Sequence, residues 1–228
     1  MCGRYTLKTS AAELADYFCL HLEPDWSPRY NIAPSQYVPV LVARAPAAAP
    51  LWRSMVWGLV PSWAKDPTVG GRLINARSET ARDKPAFRTA LRRRRCVLPA
   101  DGFYEWMRTP GGKQPHYIAR RDCAPFGLAG LWETWQSPDG TEIDSCTILT
   151  TVANTVVAPI HHRMPVMLSR GACRSWMDPS VEDSKQVTAL LSGFLAMDLS
   201  HRVVGRTVNR VSNDSPQCLE ADGQGELF

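Results

Sequence analysis

The sequence predicts an α+β domain built around a mainly antiparallel sheet, and three observations carry that prediction. Many short segments alternate apolar and polar residues with the two-residue period of a strand. Turn-forming clusters, above all Thr109-Pro110-Gly111-Gly112 and Ser137-Pro138-Asp139-Gly140, join such segments as hairpins. Only a few stretches carry helical spacing, which leaves the helices at the periphery of the sheet.

Ser10 and Glu13 form a capping box that opens a helix from about Ala11 to Leu20, with Leu14 and Phe18 one turn apart. Val38, Val40 and Val42 alternate within a strand over Tyr37–Ala43. Ala45–Pro50 reads as a loop, and Arg53–Trp57 as the next strand. Pro85 suits the first turn of a helix running to about Arg94. Cys96–Leu98 and Gly102–Met107 read as strands, the second returning through the 109–112 turn into His116–Arg120. Leu128–Trp135 and Cys146–Val152 make a second hairpin, and Pro165–Leu168 a further short strand. Ser169 and Pro179 punctuate two helices, near Gly171–Met177 and Glu182–Leu191. His201–Val204 and Arg206–Asn209 complete the sheet as edge strands. From Ser212 the chain turns polar and is expected to be loose.

The chain has 228 residues, 44% hydrophobic and 21% charged, and shows no internal repeat. One domain over 1–211 with a tail over 212–228 is expected. The N-terminus lacks the pattern of a secretory signal, and no stretch reaches the ~20 apolar residues of a membrane span. Seven cysteines, odd in number and without a CxxC pair, suggest neither a disulfide framework nor a zinc site. A reducing, cytoplasmic setting is expected, with no metal, cofactor or membrane partner. Nothing demands a partner chain, so a monomer is expected. The net charge of +4 is unevenly spread: nine Lys and Arg against two acids lie between Arg72 and Arg95. That segment suits a polyanion, although the Arg92–Arg95 run alone reads as a solvated helix face.

The chain opens Met1-Cys2-Gly3-Arg4. Removal of Met1 leaves Cys2 with a free α-amine, whose reference pKa of ~7.7–8.0 keeps a useful fraction nucleophilic at neutral pH. Its thiol is a second nucleophile on the same residue. Together they condense with an aldehyde, the amine first as a Schiff base, the sulfur then closing a thiazolidine. Asp101-Gly102-Phe103-Tyr104-Glu105-Trp106 sets Glu105 among apolar neighbours, either as an acid/base group or as the partner of an arginine. His161-His162-Arg163 offers a proton shuttle, or simply a hydrogen-bonded loop. Trp57 and Trp63 interleave with Lys65 close to the basic segment, an arrangement that suits stacked bases beside phosphates, or a core.

Read in order, MCGRY at 1–5, RYNIAPSQ at 29–36, WGLVPSWAKD at 57–66 and INARSET at 74–80 resemble the SRAP (SOS response-associated peptidase) family. RRCVLPADGFYEW at 94–106, KQPHYI at 113–118, LAGLWETW at 128–135 and HHRMPVML at 161–168 continue the match to about residue 177. The resemblance implies a barrel-like β core and a basic channel for single-stranded DNA bearing abasic sites. It casts Cys2 as the covalent nucleophile, Asn75 as the group holding sugar and amine, and Glu105 as the proton relay. His161 becomes the donor to the sugar ring oxygen. Arg4, Arg77 and Arg163 match phosphate-gripping positions; Asn31, Pro34, Trp63 and Thr150 match the DNA path, with Asn209 a weaker match.

Two other functions fit parts of the pattern. Cys2, Asn75, Glu105 and His161 also suit an N-terminal-nucleophile thiol autopeptidase or peptidase, in which the amine is the base and the thiol attacks a carbonyl. In that case Met1 is the only leader to remove. A non-covalent single-stranded DNA-binding module accounts for the basic and aromatic residues but leaves Cys2, Glu105 and His161 without a role.

Overall fold

The computed structural model describes residues 2–46, 48–192 and 197–221. Its first half contains β1 (Tyr5–Leu7), α1 (Ala11–Phe18), β2 (Arg29–Ile32), β3 (Tyr37–Val42), β4 (Leu51–Trp57) and β5 (Asn75–Arg77). Then come α2 (Arg88–Arg93), β6 (Arg95–Ala100), β7 (Gly102–Thr109), β8 (Gly112–Arg120), β9 (Phe126–Gln136) and β10 (Glu142–Val152). The chain closes with β11 (Arg163–Pro165), β12 (Met167–Leu168), α3 (Arg170–Met177), α4 (Ser184–Ser192) and β13 (Leu199–Val203).

The α+β class is as the sequence predicts, and the sheet is indeed barrel-like. Strand β10 pairs antiparallel with β9 and parallel with β4, while β4, β3, β6 and β9 pair antiparallel in turn. These five strands therefore close on one another, which leaves the ring without an open edge. Strands β11 and β12 extend it, and β5 runs parallel to β10. A second, five-stranded sheet has the order β13-β8-β7-β1-β2, antiparallel throughout.

Alternation within β7 and β8 explains how the second sheet is covered. Phe103 and Ile118 face the main core, where Tyr5, Leu41, Trp57 and Leu128 are also fully buried. Tyr104 and Tyr117 must then point to the other face. There they pack with Val204, Val208 and Cys218 in a separate small cluster. Each fully buried valine or larger side chain contributes ~1.5–3 kcal/mol, so the C-terminal segment is held by its own apolar anchors.

That packing overturns two expectations. Arg206–Asn209 is a 3-10 helix rather than an edge strand, because it folds across the face of the sheet to bury Val208. The polar stretch from Ser212 is not loose over its described part: Pro216–Leu219 forms another 3-10 turn and Cys218 is buried. Residues 222–228 of the expected tail lie outside the described residues.

Smaller differences are local. Helix α1 stops at Phe18 because Cys19 adopts a left-handed conformation (φ 54°), and α2 begins only at Arg88, after a turn over Lys84–Phe87. Gly58 and Gly70 touch backbone to backbone. A Cβ on Gly70 would stand 2.5 Å from the Gly58 carbonyl oxygen, so this crossing excludes a side chain.

Candidate active site

Cys2 lies just ahead of β1, which is clamped between β7 and β2. Its side chain is fully buried. The Tyr104 amide donates to the Arg4 carbonyl (3.0 Å), which carries the β1–β7 pairing back toward Cys2. Strand β5 runs alongside β10 with Asn75 opposite Ile148. From there the Asn75 amide donates to the Cys2 carbonyl oxygen at 2.8 Å. The other end of that amide, Oδ1, is buried with no partner among the described residues. An acceptor in that state suits an N–H brought to the same place.

Glu105, in the middle of β7, is 3% exposed. His161 ends the loop before β11, and its Nδ1 lies 4.0 Å from Glu105 Oε1. The Arg163 amide donates to that same Nδ1 (3.0 Å), which leaves the ring proton of the neutral imidazole on Nε2. The Arg163 carbonyl oxygen, 3.1 Å away, is placed to accept from Nδ1 when the ring is doubly protonated. His162 stacks on His161 at 4.4 Å, and the His161 charge holds it below its usual pKa.

Burial, and after it the Glu105 carboxylate, push the Cys2 thiol far above its ordinary pKa. The sulfur is therefore held protonated at neutral pH. Chemistry that starts from a thiolate is disfavoured here.

Glu105 and His161 open onto a cavity of about 470 Å³. Arg4, Trp106, Arg108, Lys113 and Asn209 complete its lining. Arg108 and Lys113 face each other across the β7–β8 hairpin. Neither was singled out from the sequence, which predicts the hairpin but assigns its flanking basic residues no role. Their signal is the matched pair of basic residues flanking the turn.

Cys2, Asn75, Glu105 and His161, predicted from distant parts of the chain, thus form one cluster. The predicted DNA-binding residues divide. Arg4 borders the cavity, although its guanidinium also donates to Asn31 Oδ1 (2.8 Å) and the Val208 carbonyl (2.7 Å) and stacks over Trp106. Asn209 accepts from Trp106 Nε1 and is exposed. Arg77 is exposed at the end of β5, and Trp63 is 64% exposed. Pro34 is half-buried on the loop after β2.

Three of the predicted DNA-path residues are enclosed and already hold partners within the protein. Asn31 is fully buried, its amide donating to the carbonyls of Val208, Arg210 and Asn213, which ties it to the C-terminal segment. Thr150 is likewise fully buried in β10. Arg163 is 7% exposed and bidentate to Glu79 (2.7 and 2.9 Å), with Nη2 also donating to the Thr150 carbonyl. Its charge is committed inside the protein.

Comparison with known proteins places this geometry in a family. The model of the SOS response associated peptidase (SRAP) family matches residues 1–211. The abasic site processing protein YoqW of Bacillus subtilis is 37% identical over 97% of this chain and 100% of its own. The abasic site processing protein HMCES of Gallus gallus is 33% identical, covering 96% of this chain and 77% of its own length. Among solved structures, a protein from Bacteroides thetaiotaomicron superposes with a TM-score of 0.81 at 22% identity, over 97% of this chain and 100% of that one. A protein from Bordetella bronchiseptica gives 0.72 at 27% identity, over 90% and 100%. The chain belongs to the SOS response associated peptidase (SRAP) family.

Proposed function

We propose that this protein processes abasic sites in single-stranded DNA by capturing them covalently through Cys2, once Met1 is removed. The observation that carries this reading is the convergence of Cys2 and Asn75 with Glu105 and His161, the last two lining a cavity bordered by Arg4, Arg108 and Lys113. Curated relatives that share most of the chain's length bear the name abasic site processing protein.

An abasic site is a masked aldehyde, already unstacked where its base is missing. In the proposed course, His161 Nε2–H donates to the sugar ring oxygen and favours the open-chain aldehyde. The Cys2 amine adds to C1′, with Asn75 Oδ1 as acceptor for its N–H. Glu105 takes the two amine protons in turn and passes them to the former carbonyl oxygen, which leaves as water as the imine forms. The Cys2 sulfur then adds to the imine carbon, its proton passing to nitrogen, and the thiazolidine closes. The buried, protonated thiol fits a second-step role better than a first-step one. The same feature weighs against a thiol peptidase that opens with sulfur attack, and salt-dependent binding alone would leave the cluster idle.

The test is a denaturing gel after incubation with an oligonucleotide carrying one abasic site. Protein with a confirmed Cys2 N-terminus should give a denaturant-resistant adduct, and Cys2→Ala should give none. Absence of the adduct from the native protein overturns the reading. Peptide turnover lost in Cys2→Ala would point to the hydrolase, and adduct-free binding in both proteins to a plain DNA-binding module.

A further inference from the structure

The hairpin of β7 and β8 carries two cations whose charge no acid answers. Arg108 and Lys113 stand directly opposite each other in its register, and both are exposed. Among the described residues, neither side chain makes a hydrogen bond or an ion pair. Like charges that face each other across a hairpin destabilise it. The turn between them is nevertheless well held. Thr109 Oγ1 donates to the Gly112 carbonyl (2.8 Å), Gln114 to the Val204 carbonyl (2.9 Å) and Arg206 to the Gly111 carbonyl (3.5 Å). Gly112 has a φ of 108°, a conformation that favours glycine. The arm is thus fixed in shape while it presents an uncompensated pair of positive charges.

Those charges border the reactive cluster, because both residues line the cavity that Glu105 and His161 also line. Arg108 leaves the same face of β7 as Trp106, and Lys113 joins them from β8. Among the described residues of this lining, Glu105 is the one acid, set against Arg4, Arg108 and Lys113. Arg4 already donates to Asn31 and to the carbonyls of Val208 and Asn209, and it lies over Trp106. Arg163, two residues after His161, is bidentate to Glu79. The cationic donors left for a ligand here are those of Arg108 and Lys113. Three residues separate Arg108 from Glu105, ~10 Å along a strand that rises ~3.3 Å per residue. A group held by Arg108 and Lys113 is therefore a near neighbour of whatever sits at Glu105.

We propose that Arg108 and Lys113 together bind one backbone phosphate beside the abasic residue, and so fix which sugar stands at Glu105 and His161. The proposal rests on the capture reading. An abasic residue has no base edge to read, so the register of the strand on the protein must come from its backbone. A guanidinium offers a phosphate two parallel hydrogen bonds, and an ammonium adds a point charge from the facing strand. The anion between them also relieves the like-charge repulsion across the hairpin. Neither residue touches a reacting atom; both act by placing the sugar, so they are positioning residues.

The test pairs a change in the protein with a change in the DNA. Cross-linking is measured against protein concentration for native protein and for Arg108→Gln/Lys113→Gln, and binding of unreacted strand in a Cys2→Ala background. The oligonucleotides carry one abasic site, either unmodified or with one neutral methylphosphonate linkage 5′ or 3′ of it. On the unmodified strand the double variant should need about tenfold more protein for half saturation, the size of one charge-assisted contact. Its salt slope should be shallower by about 0.7, the share of one single-strand phosphate. One of the two methylphosphonates should cost native protein the same factor and the variant less than about twofold, since that contact is already gone. Arg108→Lys, which keeps the charge, should recover most of the affinity. A hairpin that served only the fold would weaken binding without that coupling. Because both side chains are exposed, Lys113→Gln alone keeps the fold even if the double variant does not, and should show part of the same coupling. Variants that bind like native protein, or methylphosphonates that weaken variant and native protein alike or neither, overturn the grip while capture stands. No adduct from native protein on the unmodified strand overturns the capture reading itself, and the grip with it.

Discussion

At the scale of single residues, the partners already held inside the protein distinguish the predicted groups, since Cys2 and Glu105 are as buried as Asn31, Thr150 and Arg163. Cys2, Asn75, Glu105 and His161, which the fold brings together, each combine a reactive side chain with a recognisable local motif. Asn31, Thr150 and Arg163 carry equally clear motifs, yet their partners lie far off in sequence, as Glu79 does from Arg163 across 84 residues. Local pattern cannot report a distant pairing. The Glu79–Arg163 pair also makes a pH prediction. The Arg163 hydrogen bonds hold the Glu79 carboxyl below its usual pKa. A carboxyl lowered by folding stabilises the native state above its unfolded pKa, ~4.3, and loses that contribution as pH falls through the folded value. Glu79 is 44% exposed at its side chain, so screening limits the effect to about 1 kcal/mol. Glu79→Gln should therefore lower the thermal midpoint slightly at pH 7 and flatten its decline between pH 5 and the acid range, about where carboxylates titrate. A decline as steep as the native protein's would show that the pair does not contribute.

At the scale of elements, hairpins read well and charges read poorly. The turns at 109–112 and 137–140 announce the two longest hairpins, since glycine, proline and aspartate favour the required backbone. The Arg92–Arg95 run reads as a solvated basic face, but the fold divides it. Arg95 is buried and donates to the carbonyls of Leu91, Arg92 and Trp176, while Arg94 pairs with Glu133 at 2.6 Å. The junction of β6 and β7 is similar. Asp101, 1% exposed, accepts from Thr6 Oγ1, from the amides of Lys8 and Thr9, and from Thr9 Oγ1. It fastens the strand carrying Glu105 to the segment that follows β1. Removing it strands two backbone donors and two hydroxyls, so Asp101→Ala should cost ~3–5 kcal/mol. Denaturant unfolding would measure this, and a loss under ~1 kcal/mol would mean water replaces the carboxylate.

At the scale of the whole molecule, the closed barrel was not readable from periodicity. Its seam is the parallel pairing of β10 with β4, and no local signal marks a contact between segments some ninety residues apart. The role of the C-terminal segment was hidden for the opposite reason, because a polar stretch gives no sign of being packed. Asp214 accepts from the amides of Tyr30 (2.6 Å) and Asn31 (2.8 Å) and from Arg29 Nε (2.6 Å). Asn31 in turn donates to the carbonyls of Val208 and Asn213 and accepts from Arg4 at the cavity. The last described turn of the chain is thus connected, through β2, to the residue beside the reactive cluster. Asp214→Ala removes three charge-assisted hydrogen bonds, one of them an ion pair with Arg29, and should cost ~2–4 kcal/mol. It should also slow capture of an abasic oligonucleotide while leaving Cys2 and Asn75 untouched, because Arg4 loses the rigidity of its Asn31 anchor. Calorimetry and the cross-linking rate read the two effects separately. A variant that loses stability and keeps the native rate would confine Asp214 to holding the chain end, with no hold on the site.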